Sequence, residues 1–141
     1  MTLATKLKLI FIQLLPFIFV YVFSQFFLDV YLLEWTSRNF YMYIWVLIIP
    51  LTLSNKVIIS FSITIGNFIG ILIGHFLGEF IRNVNISTIT EATTPQDWAR
   101  LHAHHGWAIW IVVVCSSLIV GTIIHKIKIV LNKRRTHLAE F

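Results

Sequence analysis

The chain has 141 residues, of which 57% are hydrophobic and 12% are charged, with a formal net charge of +5 and a mean hydropathy of +0.83. Soluble domains are typically about 45–50% apolar and about 25% charged, so the composition excludes an ordinary water-soluble domain and predicts an integral membrane protein. The basic residues flank apolar runs and form no patch with aromatics, which argues against nucleic-acid binding despite the positive charge.

Four apolar runs are the predicted membrane spans, since a spanning helix needs about 20 mostly apolar residues. They cover residues 7–33, 40–54, 57–81 and 106–130. The second run is short for a span and contains Pro50, which membrane helices tolerate. We therefore predict an all-α bundle of four transmembrane helices, folded as a single membrane domain over residues 1–141 and surrounded by the lipid bilayer.

The first run carries polar residues at a four-residue spacing, namely Tyr21, Gln25 and Asp29. On a continuous helix this spacing puts them on one face. A charge near the edge of the hydrocarbon is costly unless it is paired, so the sequence predicts that Asp29 meets His75 or Arg82.

Glycines recur every fourth residue in the third run, at Gly66, Gly70, Gly74 and Gly78. Small residues at this spacing let another backbone approach closely. The pattern is typical of contact between helices, and it is also compatible with a docking face for another subunit or a second copy of the chain.

The same helix carries ionisable residues near its end, because His75, Glu79 and Arg82 fall within about 60° of one another on a helix. Asn67 lies on or beside that face, nearer the membrane centre. Ionisable groups in a membrane helix usually face protein or water, so they indicate a functional site. A structural ion pair with Asp29 and a site with tuned pKa values are both compatible with this pattern.

Residues 82–105 are predicted to form an outer loop followed by a short amphipathic interfacial helix. Thr94 is a suitable N-cap and Pro95 suits the first helical position. Arg100 lies in this helix, and His102 and His105 would be neighbours at three-residue spacing if the helix continued.

A metal site and a haem site are alternatives for these histidines. Zinc would take His75, Glu79, His102 and His105 as ligands, although the sequence lacks the known zinc-helix motif. A b-type haem would take His75 with His102 or His105 as axial ligands. The identity of any cofactor is left open by the sequence.

The distribution of basic residues predicts the orientation. With the N-terminus in the cytoplasm, eight of the eleven lysines and arginines lie on the cytoplasmic side of the four spans. The sequence thus predicts a multi-pass protein of the cell membrane with both termini cytoplasmic. A composition rich in Ile, Phe and Lys suggests a bacterial source.

The function expected from this pattern is non-enzymatic: a ligand- or ion-binding transport component, or an accessory subunit of a larger membrane complex or homo-oligomer. No phosphate-binding glycine loop is present, so no ATP-binding motif is expected. One alternative is a metal- or haem-binding oxidoreductase or hydrolase, and another is a structural immunity or assembly factor. The predicted ligand-binding residues are Gln25, Asp29, Asn67, His75, Glu79, Arg82 and Arg100.

Overall fold

The computed structural model of the chain describes residues 1–27, 30–90 and 93–138. The molecule is 85% helical, and the described residues contain no strand. The α-helices in these ranges are α1 (Leu3–Ser24), α2 (Tyr31–Arg38), α3 (Ile48–Leu53), α4 (Val57–Ile86), α5 (Pro95–Leu101) and α6 (Gly106–Leu138), and a 3-10 helix over Phe40–Leu47 precedes α3.

Three helical stretches of the described residues are long and apolar enough to cross a membrane: Leu3–Ser24, Val57–Ile86 and Pro95–Arg135. The last of these contains α5, the linker after it and α6, whose apolar part begins at Gly106. The predicted membrane helices are therefore present. The second predicted span is instead a shorter helical segment, Phe40–Leu53, so four full-length spanning helices are not confirmed.

The first helix ends earlier than the sequence pattern predicted. α1 stops at Ser24, where the Ser24 hydroxyl donates a hydrogen bond to the Tyr21 carbonyl at 2.7 Å and the Gln25 side-chain amide lies 3.5 Å from the same oxygen. These bonds occupy a carbonyl of the last turn. Gln25 lies beyond the end of α1, so it does not share a helix face with Tyr21 as expected, and Asp29 lies outside the described residues.

The glycines of α4 face α6 of the same chain, and the two helices pack in antiparallel directions. A Cβ atom at Gly66 would lie 2.5 Å from Ser117 Cβ, and one at Gly70 would lie 2.9 Å from the ring of Trp110. Any larger residue at these positions would push α6 away. The close approach expected from the glycine spacing therefore occurs within the chain, and these glycines are not available as a docking face for another subunit.

Helix α1 is joined to α3 and α4 by three buried polar side chains, which we name the interhelical polar triad: Gln13, Thr52 and Ser60. The Gln13 amide donates to the Thr52 hydroxyl at 3.3 Å, and the Thr52 and Ser60 hydroxyls lie 2.9 Å apart. The Ser60 hydroxyl donates back to the Gln13 side-chain oxygen. Because each member has a partner within the triad, the arrangement stabilises contact between three helices that have no hydrophobic driving force between them in lipid.

Between α2 and α3 the chain passes through a left-handed turn, which forms the first half of the segment Phe40–Leu47. Residues Phe40, Tyr41, Met42 and Tyr43 have φ of 48°, 53°, 46° and 56°. This conformation costs an L-residue about 1–2 kcal/mol, so ring contacts that hold the turn are needed to offset it.

Two of those contacts are made with α1. The Tyr41 ring packs edge-on against Phe17 at 5.5 Å, and the Phe40 ring stacks on Tyr21 at 6.3 Å. At its other end, the segment meets the start of α1, where the Lys6 ammonium donates to the Leu53 carbonyl at 2.6 Å. The segment Phe40–Leu53 therefore lies along α1 in the antiparallel direction.

The bundle has two ends that differ in chemistry. At the first, which we name the linker end, α4 finishes and α6 begins. At the opposite end, which we name the terminal end, α1 begins and α6 finishes. The candidate site lies at the linker end.

Candidate functional site

The linker end contains a cluster of polar side chains from three parts of the fold. Tyr31 comes from the start of α2, His75, Glu79 and Arg82 come from α4, and His104 comes from the linker between α5 and α6. We name these five residues the linker-end cluster.

His104 lies at the centre of the cluster, with only 8% of its surface exposed. Its ring stacks on Tyr31 at a centroid distance of 4.2 Å and lies nearly parallel to the ring of His75 at 6.5 Å. The backbone N–H of Gly106 donates to His104 Nδ1 at 3.0 Å. Because Nδ1 accepts this bond, the neutral ring carries its proton on Nε2.

Glycines make the space that the His104 ring occupies. A Cβ at Gly78 would lie 2.5 Å from His104 Cε1, and one at Gly106 would lie 2.6 Å from the same atom. Gly74 instead admits the start of α6, since a Cβ there would lie 2.7 Å from the Gly106 carbonyl oxygen. The glycines at this end of α4 thus serve both to pack α6 and to admit the imidazole.

Glu79 connects the imidazole to a guanidinium. Its Oε2 atom lies 3.6 Å from His104 Nε2 and 3.4 Å from Arg82 Nη1. The Glu79 and Arg82 side chains are 40% and 38% exposed, whereas that of His104 is 4% exposed. The cluster therefore runs from a buried imidazole to a charged pair that water reaches.

Burial lowers the pKa of His104 below its ordinary value, because a charged imidazole loses solvation in this position. The carboxylate of Glu79 opposes that effect, and His75, Arg82 and His105 add to it. The neutral ring is therefore favoured, with a proton on the nitrogen that faces Glu79.

Among the described residues, three buried nitrogens of the cluster have no hydrogen-bond partner: His75 Nδ1, Arg82 Nε and His104 Nε2. Buried polar groups in folded proteins nearly always have a partner, and an unpaired one costs about 1–3 kcal/mol. Arg82 Nε and the protonated His104 Nε2 are donors, so an acceptor oxygen would satisfy them.

Several residues predicted for the site lie elsewhere. Gln25 lies in an exposed position just after α1, in a surface groove beside Glu34 and Arg38. Asn67 is buried in the middle of the bundle, where it accepts a hydrogen bond from Trp110 Nε1 at 3.1 Å. Arg100 is exposed on α5 and pairs with Asp97 at 3.2 Å.

The other two histidines of the linker are not part of the cluster. The His102 ring stacks on Trp98 at 3.8 Å, with Nδ1 at 2.9 Å from the Trp98 carbonyl oxygen, and His105 is exposed. The helical spacing that made His102 and His105 predicted neighbours does not apply to the linker, because α5 ends at Leu101. Over the described ranges, no group of three His, Cys, Asp or Glu residues is arranged to hold a metal ion.

Sequence reasoning missed His104 and Tyr31 as members of the cluster. The start of α5 was predicted correctly, since Thr94 caps it and Pro95 is its first residue. The end of α5 determines which histidine turns inward, and Gly106 is the residue that signals a break in the helix at this point. Tyr31 carries no comparable signal, because only the packing of α2 brings it to His104.

No family model, no curated protein and no solved structure matches this chain.

Proposed function

We propose that the chain is a small multi-pass membrane protein that binds a ligand at the linker end, as a transport component or as an accessory subunit of a larger membrane complex. The observation that carries the proposal is the buried, unpartnered Nε2 of His104, which is directed toward Glu79 beside the two other unpartnered nitrogens of the cluster. In this proposal, the ligand is small and presents a carboxylate or a similar acceptor oxygen to Arg82 and His104.

The burial of the cluster supports a binding role over a purely structural ion pair. A structural pair would be complete within the chain, whereas His104 Nε2 lies 3.6 Å from its carboxylate without forming a hydrogen bond. The half-exposed Glu79 and Arg82 give a ligand access from solvent. Protonation of His104 would strengthen the attraction for an anion, which would couple binding to pH.

In this proposal, the protein crosses the membrane four times, with both termini in the cytoplasm and the linker end facing outward. The contacts of Phe40–Leu53 support the second crossing, because this segment follows α1 from Tyr21 to Lys6. Those positions are separated by about 22 Å along a helix, somewhat less than the roughly 30 Å of a typical hydrocarbon core. Local bilayer thinning would accommodate the difference.

The binding proposal is tested on the purified full-length protein with acetate as the probe. Saturation-transfer NMR is expected to give a saturable acetate signal for the wild type, because the carboxylate satisfies the donors of the cluster. The signal should be lost in Arg82→Gln and in His104→Gln. Arg38→Gln is the matched control, since it makes the same chemical change at an exposed arginine that is not part of the cluster. Absence of an acetate signal, or a signal that the cluster variants leave unchanged, would contradict the proposal.

The same preparation distinguishes the alternatives. A Soret band in the visible spectrum, or stoichiometric zinc that is lost on His102→Ala, would favour the haem or metal protein. A structural assembly factor predicts that cluster variants leave activity intact, whereas Gly70→Leu abolishes it because its side chain would meet Trp110.

A further inference from the structure

Helix α6 continues beyond the start of α4 at the terminal end. A Cβ at Gly121 would lie 3.4 Å from the Cα of Ile59, and α4 begins only two residues earlier, at Val57. α6 runs on to Leu138. Its residues from Ile124 onward, which we name the extension, therefore have no turn of α4 opposite them, over a length of about 22 Å.

This extension combines exposed apolar side chains with positive charge. Ile127, Val130 and Leu131 are each about half exposed. The basic residues of the same stretch are Lys126, Lys128, Lys133, Arg134 and Arg135, and α6 contains no acidic residue. A helix with large apolar side chains and many cations is typical of the boundary between an anionic membrane surface and its acyl chains.

One face of the extension forms a groove that is lined by both kinds of side chain. Its lining residues are Ile124, Ile127, Lys128, Leu131, Asn132 and Arg135. Lys128 and Arg135 are seven residues apart, which puts them on the same face at a separation of about 10 Å. Ile124 and Ile127 are nearest the bundle, Leu131 lies between the two cations, and Arg135 is farthest from the bundle.

We propose that this groove binds an anionic phospholipid, with the headgroup phosphate at Lys128 and Arg135 and an acyl chain along Ile124, Ile127 and Leu131. The two ends of the groove match the order of a lipid, because its headgroup lies farther from the membrane centre than its chains, as Arg135 lies farther from the bundle than Ile124. Charge complementarity selects a lipid over a second copy of this chain, since a second copy would bring two sets of cations together. The proposal is independent of the linker-end cluster.

The test is native mass spectrometry of the full-length protein in micelles that contain phosphatidylglycerol and phosphatidylcholine. The wild type is expected to retain phosphatidylglycerol in preference to phosphatidylcholine. Each basic residue near an anionic surface contributes about 1 kcal/mol to binding, so the preference for phosphatidylglycerol should be roughly 30-fold weaker in the double variant K128Q/R135Q. The charge-preserving variant K128R/R135K should behave as the wild type does.

The matched control is K8Q/K56Q, which removes the same charge at the terminal end from residues outside the groove. Retention of the preference in this control, with its loss in K128Q/R135Q, would support a defined site. An equal loss of the preference in K8Q/K56Q and in K128Q/R135Q would mean diffuse attraction to the membrane surface and would overturn the proposal. A dimer in micelles free of anionic lipid that K128Q/R135Q strengthens would also overturn it, because a second copy would then cover this face.

Discussion

The packing of α4 against α6 predicts a specific rescue between Gly66 and Ser117. A Cβ at Gly66 would lie 2.5 Å from both Cβ and Oγ of Ser117, whereas its next neighbour, the Cα of Val114, would be at an ordinary 3.5 Å. Overpacking typically destabilises a protein by about 1–3 kcal/mol, whereas the higher helix propensity of alanine relative to glycine stabilises it by about 1 kcal/mol. Gly66→Ala should therefore lower the free energy of unfolding by up to about 2 kcal/mol.

Ser117→Gly should restore the stability of the Gly66→Ala variant, because it removes both atoms with which the new methyl group collides. The helix-propensity change at residue 66 is the same in both backgrounds and cancels in a double-mutant cycle. The coupling energy should therefore be about 1–3 kcal/mol, which is within the range measured for residues in contact. Reversible unfolding in mixed micelles, followed by the fluorescence of the buried Trp110, provides the measurement.

Ser116→Gly is the control for this cycle, since it makes the same chemical change at the adjacent residue, which is exposed and is not among the nearest neighbours of Gly66. It should give no rescue of Gly66→Ala. Effects of Gly66→Ala and Ser117→Gly that add to within about 0.5 kcal/mol would refute the proposed packing of α4 on α6.

Three further outcomes are expected. Gln13→Leu leaves two buried hydroxyls of the interhelical polar triad with fewer partners and should cost about 1–3 kcal/mol in the same unfolding assay, while apolar replacement of all three members should recover much of that loss. Burial lowers the pKa of His104 from its ordinary 6.5, so the unfolded chain binds this proton at higher pH than the folded chain. The free energy of unfolding should therefore reach its full value above about pH 6.5 and decline as the pH falls toward the folded-state pKa. His104→Gln should flatten that decline, and a pH profile that this variant leaves unchanged would contradict the burial of His104. Trp110→Phe removes the hydrogen bond to Asn67 and should cost about 1 kcal/mol, a loss that should be largely absent when Asn67 is already leucine.

The linker-end cluster illustrates how close packing and polar chemistry are combined in this chain. Gly78 and Gly106 leave room for the His104 ring, so the residues that bring α4 and α6 together also permit a buried imidazole between them. Substitution at either glycine would therefore affect stability together with the ligand binding that we propose for the cluster. The two effects are separable only by variants such as His104→Gln that leave the glycines in place.

Composition and local pattern determined the parts of this protein that depend on short stretches of chain. The apolar runs specify helices long enough for a bilayer, and Thr94 with Pro95 specifies the start of α5. The close spacing of His75, Glu79 and Arg82 on one side of a helix likewise follows from the helical repeat alone. In each case the responsible interactions lie within a few residues of one another.

The choice of partners between helices was decided only by the tertiary structure. α1 ends at Ser24 and α5 ends at Leu101. Because of these two ends, Gln25 and His102 lie outside the cluster, and His104 is the linker histidine that is buried. The interhelical polar triad joins residues that are 47 positions apart at its widest, which no periodicity encodes. In lipid, helices associate through steric fit and scattered hydrogen bonds, so the side chains that meet depend on the shapes of whole surfaces and not on the hydropathy of any one helix.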